Sequence, residues 1–299
     1  MKILSFGSMN IDNTYSVDEF VQPGETMTAK NLSKFCGGKG LNQSIALASA
    51  GADVAHFGCV GEDGYILLDM LKSRGVNTDS VIKIDNITSG HAIIQVDSHG
   101  QNSILLYPGA NRRMTPELID RELEKYSCGD WLLIQNETNC LEYIMRAANK
   151  KGMKIAFNPS PMDGTVSTLP LKLVDLFLVN EIEGAAVTGK EITEEITEEF
   201  EKLFPNAAVI LTLGKKGSIF KSEKDMLFQP SYCGTVKDTT GAGDTYTGFF
   251  IANYINGVSP QECMRIAAMA STVQISRDGA AIAIPTKQEV LNALKNHCR

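Results

Sequence analysis

Short apolar runs alternate with segments of helical periodicity along most of the chain, and this alternation constrains the fold more than any other feature. The runs have the apolar content and length of strands that are buried on both faces. They lie at residues 3–6, 55–60, 131–135, 154–158, 176–180 and 209–213. One helical pattern begins after Thr115 with Pro116 in its first turn, and another stops at Gly152. Repeated strand-helix units predict an α/β fold with a central, mostly parallel, doubly wound sheet flanked by helices.

Two segments depart from this alternation, approximately residues 11–36 and 88–107. They carry alternating apolar residues and turn signals, as in 91–96 and 103–107 on either side of Gly100. This pattern predicts a small antiparallel β sheet, which fits a lid over a site and equally an added edge hairpin. No repeat, low-complexity segment or linker divides the 299 residues. We therefore expect a single domain, 1–299, that includes these lid segments.

The charge and cysteine content argue against several classes of function. The formal net charge is −7, and Lys and Arg form no run longer than a pair such as Arg112 and Arg113, so no nucleic-acid partner is expected. The seven cysteines include no C-x-x-C pair and the four histidines are widely spaced, which disfavours a zinc site. The first apolar stretch is too short for a signal peptide or a membrane span. We expect a cytoplasmic protein with no membrane partner.

The segment 236–245 carries the strongest indication of function. Its small residues are Gly241, Ala242 and Gly243, and an apolar helical pattern follows them. Backbone N–H groups at a helix N-terminus can surround an anion, and glycine lets a phosphate approach closely. Asp244 would repel that phosphate, so its presence suggests a base that accepts a proton from an attacking hydroxyl. Helix capping by Asp238 or Asp244 is the alternative for this motif taken alone.

A second glycine-rich segment, 37–43, lies near the N-terminus and also leads into a helical pattern. It contains Lys39 and Asn42 rather than acidic residues. Asn10 and Asp12, just after the first predicted strand, add donors and acceptors of the kind that bind sugar hydroxyls in pairs. Taken singly, Asn10 and Asp12 are more simply read as turn residues.

The two glycine segments, in this order and about two hundred residues apart, resemble the signature pair of the ribokinase-like (pfkB) carbohydrate kinases. The likeness extends over nearly the whole chain. The segment 7–12 resembles the family's sugar-binding first loop, Asn180 and Glu183 its N-x-x-E motif, and 212–217 its nucleotide-binding turn. The resemblance implies the ribokinase-like fold and transfer of phosphate from ATP to a sugar hydroxyl.

Carried over residue by residue, the resemblance implies a role for each matching position. Asp244 would remove the hydroxyl proton, and the N–H groups of Gly241, Ala242, Gly243 and Asp244 would surround the transferring phosphoryl. The sugar would be bound by Asn10, Asp12, Gly38, Lys39, Asn42, Glu137 and Asp244. The nucleotide would be bound by Asn180, Thr212, Gly214, Gly217 and Gly243. Glu137 also follows a predicted strand, where open α/β sheets place ligand-binding residues.

The resemblance also implies two cations. Mg²⁺ would be held by Asn180 and Glu183, largely through water. A monovalent cation, K⁺ or a similar ion, would activate the enzyme from a site formed by Asp238, Thr240, Gln274, Arg277 and Gly279. Ala283 stands where some members of the family have a hydroxyl-bearing residue, which would leave one ligand of that cation absent.

Within the family, the resemblance favours D-ribose as the acceptor, phosphorylated at O5 to give ribose 5-phosphate and ADP. Fructokinases, ketodeoxygluconate kinases and nucleoside kinases share the catalytic motif and are the alternatives. A non-catalytic sugar-binding regulator is disfavoured because Asp244 and its glycines are all present. Apolar lid residues such as Ile93 and Val96 predict a homodimer through the lid sheet, since one face of a small sheet needs cover.

Overall fold

In the computed structural model, which describes residues 1–297, the apolar runs form strands and most of the intervening segments form helices. The strands are β1 (Ile3–Phe6), β2 (Asn10–Ser16), β3 (Asn31–Gly37), β4 (Val54–Phe57), β5 (Cys59–Val60), β6 (Ile82–Lys83), β7 (Gly90–Val96), β8 (Asn102–Tyr107), β9 (Trp131–Gln135), β10 (Lys154–Asn158), β11 (Leu176–Asn180), β12 (Ala208–Thr212), β13 (Ser218–Lys221) and β14 (Met226–Gln229). The helices are α1 (Lys39–Ser49), α2 (Tyr65–Ser73), α3 (Pro116–Leu123), α4 (Leu141–Lys150), α5 (Glu181–Thr188), α6 (Thr193–Leu203), α7 (Ala242–Tyr254), α8 (Pro260–Gln274) and α9 (Lys287–His297).

The central sheet has the strand order β4-β1-β9-β10-β11-β12-β13-β14. Neighbouring strands from β4 to β12 are parallel, and β13 and β14 extend the edge as an antiparallel hairpin that the apolar pattern did not predict. The predicted run 55–60 divides at Gly58 into β4 and β5, where a side chain would lie 2.6 Å from the Gly7 carbonyl oxygen. Beyond this point β5 leaves the main sheet and pairs with β6.

Each face of the central sheet packs against its own apolar core. Alternate residues of one strand point to opposite faces, so Ile3 joins one core and Leu4 the other. The Ile3 core includes residues of α1, α7 and α8, and the Leu4 core includes residues of α3, α4 and α6. This arrangement confirms the prediction of a doubly wound α/β fold with helices on both faces.

The lid segments form a separate sheet of order β3-β2-β7-β8, as the alternating pattern predicted. The outer pairs, β2 with β3 and β7 with β8, are antiparallel, whereas the central pair of β2 and β7 is parallel. The two strands can be parallel because the connection between them is long and includes α1, β4 and α2. Since β2 follows β1 after only three residues, the lid is attached directly to the carboxyl edge of the central sheet. In residues 1–297, no helix combines the length and apolar character needed to cross a membrane.

Candidate active site

The close packing of α1 and α7 brings the two predicted glycine segments together. Gly248 in α7 lies against Ala46 in α1, and a Cβ added at Gly248 would be 2.3 Å from the Ala46 Cβ. At its N-terminal end, α1 also packs closely on the first loop, since a Cβ at Gly40 would lie 2.5 Å from the Gly7 backbone. The N-terminal ends of both helices are in direct contact and line the same cleft.

The carboxylate of Asp244, in the first turn of α7, is buried and held by two side chains of α1. Asn42 Nδ2 donates to one carboxylate oxygen at 3.0 Å, and Gln43 Nε2 donates to the other at 2.9 Å. Both oxygens are therefore fixed in direction. The two glycine segments are therefore in contact, and Asp244 lies where the two helices meet.

Gln43 connects Asp244 to the ends of two strands. Its amide nitrogen also donates to Asn158 Oδ1 at 3.1 Å, and its oxygen accepts from Gln135 Nε2 at 2.7 Å. Asn158 in turn donates to the Leu178 carbonyl at 2.8 Å. All of these side chains are buried. Since a buried amide without partners is costly, this chain of hydrogen bonds strongly favours one orientation of the Asp244 carboxylate.

The N-terminus of α7 offers free backbone donors beside Asp244. Gly241 is the residue before the helix and has a φ of 76°, a conformation that glycine adopts without strain. The Ala242 N–H donates to the Thr239 carbonyl at 3.2 Å, whereas the N–H groups of Gly241, Gly243 and Asp244 have no acceptor within residues 1–297. A Cβ added at Gly243 would meet nothing within 4 Å. Unpaired N–H groups beside open space at a helix N-terminus are the arrangement that binds anions in other proteins.

A cleft of about 250 Å³ lies in front of these donors. Its walls include three of the five residues predicted to bind the nucleotide, Asn180, Thr212 and Gly243. They also include Lys39, predicted to bind the sugar, Glu183, predicted to hold Mg²⁺, and the predicted catalytic residues Gly241, Ala242 and Asp244. The structure does not place Gly214 and Gly217 on these walls. Gly217 has a φ of 122°, and a Cβ there would lie 2.1 Å from the Gln229 carbonyl oxygen, so the β13–β14 hairpin itself requires a glycine.

Glu137 lies next to the N-terminus of α1. Its Oε2 accepts the Lys39 N–H at 3.1 Å and is also hydrogen-bonded to the hydroxyl of Ser8. Burial raises the pKa of Glu137, and the hydrogen bond from Ser8 and the charge of Lys39 oppose that rise. Burial also disfavours the charge of the Lys39 ammonium, but the carboxylates of Asp244 and Glu137 outweigh it and raise the Lys39 pKa. Lys39 is therefore a stable cation among acidic groups.

Asp12, on lid strand β2, is the third carboxylate of this region. Burial, together with the nearby charge of Glu137, raises its pKa to about 6. Its carboxylate lies against Gly37 of β3, where a Cβ would be 2.1 Å from Oδ2. A carboxyl group held in a half-buried position between the lid and Glu137 is well placed to accept hydrogen bonds from hydroxyls.

Asn10 is held by a side chain that the sequence analysis did not assign to the site. Asn111, in the short helix Gly109–Arg112, exchanges hydrogen bonds with the backbone of Met9 and donates to Asn10 Oδ1 at 2.8 Å. A Cβ at Gly90 would lie 2.1 Å from this Asn111 amide. The first loop is thus fixed from the side of the lid, with the Asn10 amide group turned toward Asn111.

Several residues of the site were therefore not predicted from the sequence, although some of them have sequence features that indicate a site. The missed residues are Ser8, Gln43, Asn111, Gln135 and Asn158. Gln135 and Asn158 are polar residues at the carboxyl ends of predicted strands, the same signal that identified Glu137. Ser8 and Gln43 adjoin predicted site residues, and Asn111 lies in the segment 109–111, which resembles a segment of the family but to which no role was assigned.

The Asn180–Glu183 pair fits the magnesium role that the resemblance implies. The two form a capping box at the start of α5, in which Glu183 N donates to Asn180 Oδ1 at 2.8 Å and Asn180 N to Glu183 Oε2 at 3.0 Å. Both side chains line the cleft, and their acceptor atoms, the Asn180 amide oxygen and the Glu183 carboxylate, are oxygens. Within residues 1–297, no cluster of three or more His, Cys, Asp or Glu side chains forms a metal cage. A metal here would therefore be bound mainly by water and ligand oxygens.

The predicted monovalent-cation position does not fit a cation. Gln274, at the end of α8, places its amide nitrogen 3.1 Å from the Thr240 carbonyl oxygen, 3.1 Å from that of Gly279 and 3.0 Å from that of Ala280. The carboxylate of Asp238 accepts the N–H groups of Thr240 at 2.8 Å and Gly279 at 3.0 Å. Partial burial opposes the Asp238 charge, but these hydrogen bonds prevail and lower its pKa.

The other residues of that position have their own partners. The Arg277 guanidinium donates to Glu289 at 2.5 Å and to the Ala283 carbonyl at 3.5 Å. The Ala283 side chain is a buried methyl group without a hydroxyl. The sequence thus identified a real cluster around Asp238 and Gln274, but in the structure an amide occupies its centre.

Comparisons with known proteins agree with this arrangement. The model of the pfkB family of carbohydrate kinases matches residues 1–287. A ribokinase of Haemophilus influenzae is 33% identical over 298 residues, which cover 97% of each chain. The solved structure of Thermotoga maritima ribokinase superposes with a TM-score of 0.88 at 32% identity, covering 98% of this chain and 99% of that one. Arabidopsis thaliana ribokinase, complexed with ribose and ATP, superposes with a TM-score of 0.85 at 29% identity, covering 98% of each chain. The chain belongs to the pfkB family of carbohydrate kinases.

Proposed function

We propose that this carbohydrate kinase transfers the γ-phosphoryl group of ATP to O5 of D-ribose, giving ribose 5-phosphate and ADP. The observation that carries the proposal is the position of Asp244 beside the unpaired N–H groups at the start of α7. A carboxylate next to an anion-binding helix terminus suits a reaction in which a hydroxyl loses its proton while it attacks a phosphoryl group.

Each group at the junction of α1 and α7 has a distinct task in this reaction. Asp244 accepts the proton of the attacking hydroxyl, with its orientation fixed by Asn42 and Gln43. The N–H groups of Gly241 and Gly243 donate to the phosphoryl oxygens, whose negative charge grows in the transition state. The Lys39 ammonium, which remains charged, lines the same cleft and offsets that charge.

Further residues of the cleft would bind the metal and the nucleotide. Asn180 and Glu183 would hold Mg²⁺ through water, and the metal would neutralise charge on the triphosphate. Thr212 lies at the carboxyl end of β12 on the same wall and would contact the nucleotide. A monovalent cation is not part of this proposal, because Gln274 already fills the position that it would take. Use of ATP agrees with the cytoplasmic location expected from the sequence.

The sugar end favours a small polyhydroxylated acceptor. Asp12, Glu137 and Asn10 lie around the first loop and the start of α1, and they supply acceptors and donors for several hydroxyls over a short distance. The relatives described above include a ribokinase complexed with ribose, which supports ribose as the acceptor for this chain.

The test is an ADP-release assay with ATP and Mg²⁺ across D-ribose, 2-deoxyribose, fructose, ketodeoxygluconate and nucleosides. We expect the largest kcat/KM with ribose and a product that carries its phosphate on O5, identified by ³¹P NMR. Greater activity on another acceptor would retain the mechanism and overturn ribose as substrate. Turnover on no acceptor, with binding of ribose still detectable by calorimetry, would favour a sugar-binding regulator.

We also propose a homodimer formed through the lid sheet. The register places Phe35, Ile94, Ile104 and Leu106 on the same face as Asp12, and Ile104 and Leu106 are 58% and 47% exposed. A second subunit would cover this apolar face beside the sugar site. Sedimentation equilibrium should give a dimer for the native chain and a monomer for the double variant Ile104→Lys and Leu106→Lys. Ile93, which the sequence pattern placed with Val96 among the dimer residues, lies on the opposite face in this register. Ile93→Lys is therefore the matched control and should remain dimeric.

A further inference from the structure

The most unusual feature outside the proposed chemistry is the environment of the Gln274 side chain. This side chain is fully buried, and its amide nitrogen lies among the carbonyl oxygens of Thr240, Gly279 and Ala280 at 3.0–3.1 Å. Its oxygen accepts no hydrogen bond from the described residues 1–297. One amide NH₂ group therefore donates hydrogen bonds to three backbone carbonyls from two separate loops.

The chemistry of the cluster requires the nitrogen, not the oxygen, at its centre. An amide carries two N–H donors and one acceptor, so exchanging the two atoms would bring the Gln274 oxygen against three other oxygens. Three converging carbonyls leave a buried region of negative potential that needs a positive group. The Gln274 NH₂ supplies that partial positive charge without a net charge.

The position matters because Thr240 directly precedes Gly241 at the start of α7. The Thr240 carbonyl accepts from Gln274, and the Thr240 N–H donates to Asp238. Both backbone polar groups of Thr240 are thus fixed, and with them the direction of the chain that enters the turn before α7. Gln274 also lies against that turn, since a Cβ at Gly241 would be 3.5 Å from its amide nitrogen.

We propose that the Gln274 amide is a built-in replacement for a monovalent cation, and that it makes this kinase independent of K⁺. A cation at this point would need the carbonyls of Thr240 and Gly279 and the carboxylate of Asp238, and each of these groups already accepts a hydrogen bond. Gln274 is a positioning residue that acts through the Thr240–Gly241 turn. The kcat measurements that test this inference rest on the proposed function, whereas the measurements of ion binding and melting temperature do not.

The test compares the native chain with Gln274→Ala in tetramethylammonium buffer, alone or with added Na⁺, K⁺ or Cs⁺. For the native chain at constant ionic strength, we expect kcat to differ by less than about twofold between the salts. The melting temperature should stay nearly constant. Gln274→Ala opens a space bordered by three carbonyls and should lose most of its kcat without K⁺. Added K⁺ should restore kcat and raise the melting temperature along one saturation curve, and Cs⁺ should do so less well.

Gln274→Met provides the matched control, because it keeps the length of the side chain but has no donor and leaves no space for an ion. It should be impaired equally in every salt. A crystal soaked in Rb⁺ should show anomalous scattering among the three carbonyls in Gln274→Ala and none there in the native chain.

Saturable activation or stabilisation of the native chain by K⁺ would overturn the proposal, and so would a Gln274→Ala variant that is indifferent to K⁺. If neither protein phosphorylated any sugar, the melting temperatures and the Rb⁺ signal would still decide between a filled and an open cation position. Failure of the proposed function and failure of this inference are therefore distinguishable.

Discussion

Asp244 Oδ1 accepts a 2.9 Å hydrogen bond from the side chain of Gln43, a residue 201 positions earlier in the chain. The bond joins the N-terminal halves of α1 and α7, and the Gln43 side chain is also hydrogen-bonded to Asn158 and Gln135 at the ends of two strands. The orientation of the proposed base thus depends on residues from four separate elements. The active site is a product of the parallel sheet, which gathers these elements at one edge.

Gln43→Met should lower kcat much more than it raises the KM for sugar. Methionine keeps the length of the side chain, but Asp244 loses one of its two donors, and Asn158 and Gln135 lose partners inside the protein. We expect kcat to fall about 10- to 100-fold, in line with an incorrectly oriented base. Steady-state kinetics on ribose checks this, with the melting temperature as a control for folding. An unchanged kcat would show that Asn42 alone orients the carboxylate.

Asp244→Asn should remove the base while preserving most sugar binding. The amide cannot accept the hydroxyl proton, so kcat should fall by about two orders of magnitude or more. Asn10, Asp12 and Glu137 are untouched, and we expect ribose affinity from titration calorimetry to stay within a few-fold. Retention of most of the native kcat by a folded variant would contradict the role assigned to Asp244.

Gly243→Ala tests the anion-binding position separately from stability. The added methyl group meets nothing within 4 Å and projects into the cleft beside the unpaired N–H groups. Alanine should leave stability unchanged or increase it by about 0.5–1 kcal/mol, because Gly243 is inside a helix. Phosphoryl transfer should fall at least tenfold, since the methyl occupies space that a phosphate needs. Gly40→Ala is the contrasting variant, because its methyl would meet the Gly7 backbone at 2.5 Å and should destabilise the fold itself.

The sequence predicted the sheet well because its signal is local. The strands at 3–6, 131–135, 154–158 and 176–180 have the predicted bounds, since buried parallel strands are continuous apolar runs. The β13–β14 hairpin was missed because its residues are mixed in character and its pairing depends on β12. The parallel pairing inside the lid likewise depends on where β7 returns, which no local pattern records.

The site was predicted where residues act in recognisable motifs and missed where they support one another. Asp244 and Asn42, which the resemblance assigns to the same sugar site, are hydrogen-bonded to each other. The sequence alone assigns Gln274 to a cation site, because its place in the chain does not reveal which atom of its side chain points at the Thr240 carbonyl. Hydrogen bonds between distant buried amides are set by packing, and they become visible only in three dimensions.

Ser8→Ala should weaken sugar binding through Glu137. The Ser8 hydroxyl is hydrogen-bonded to Glu137 Oε2, which also accepts the Lys39 N–H. Loss of the hydroxyl removes a group that lowers the Glu137 pKa, so the carboxyl should remain protonated to a higher pH. We expect the KM for ribose to rise several-fold with a smaller change in kcat, and the rise to be greatest at acidic pH. Ser8→Thr keeps the hydroxyl and should retain more of the affinity, whereas equal losses in both variants would point to packing.

His56 should make the fold sensitive to acid. It is fully buried in β4 with Nδ1 2.8 Å from the Ser44 hydroxyl, and burial lowers its pKa from 6.5 to about 4. A histidine that resists protonation in the folded chain contributes stability that is complete above pH 6.5 and is lost as the pH falls toward 4. Asp12 acts in the opposite direction over part of this range, because its raised pKa favours the folded state as the pH falls through about 6.

His56→Asn isolates the histidine contribution, because the amide can still reach Ser44 but cannot take up a proton. Melting temperatures of both proteins, measured between pH 7.5 and 4 in steps of about half a unit, should diverge in their pH dependence. The native chain should lose stability more steeply below pH 6.5, and the variant should show a flatter profile with the Asp12 contribution exposed. Parallel profiles would mean that His56 is protonated without cost in the folded chain, in conflict with its burial.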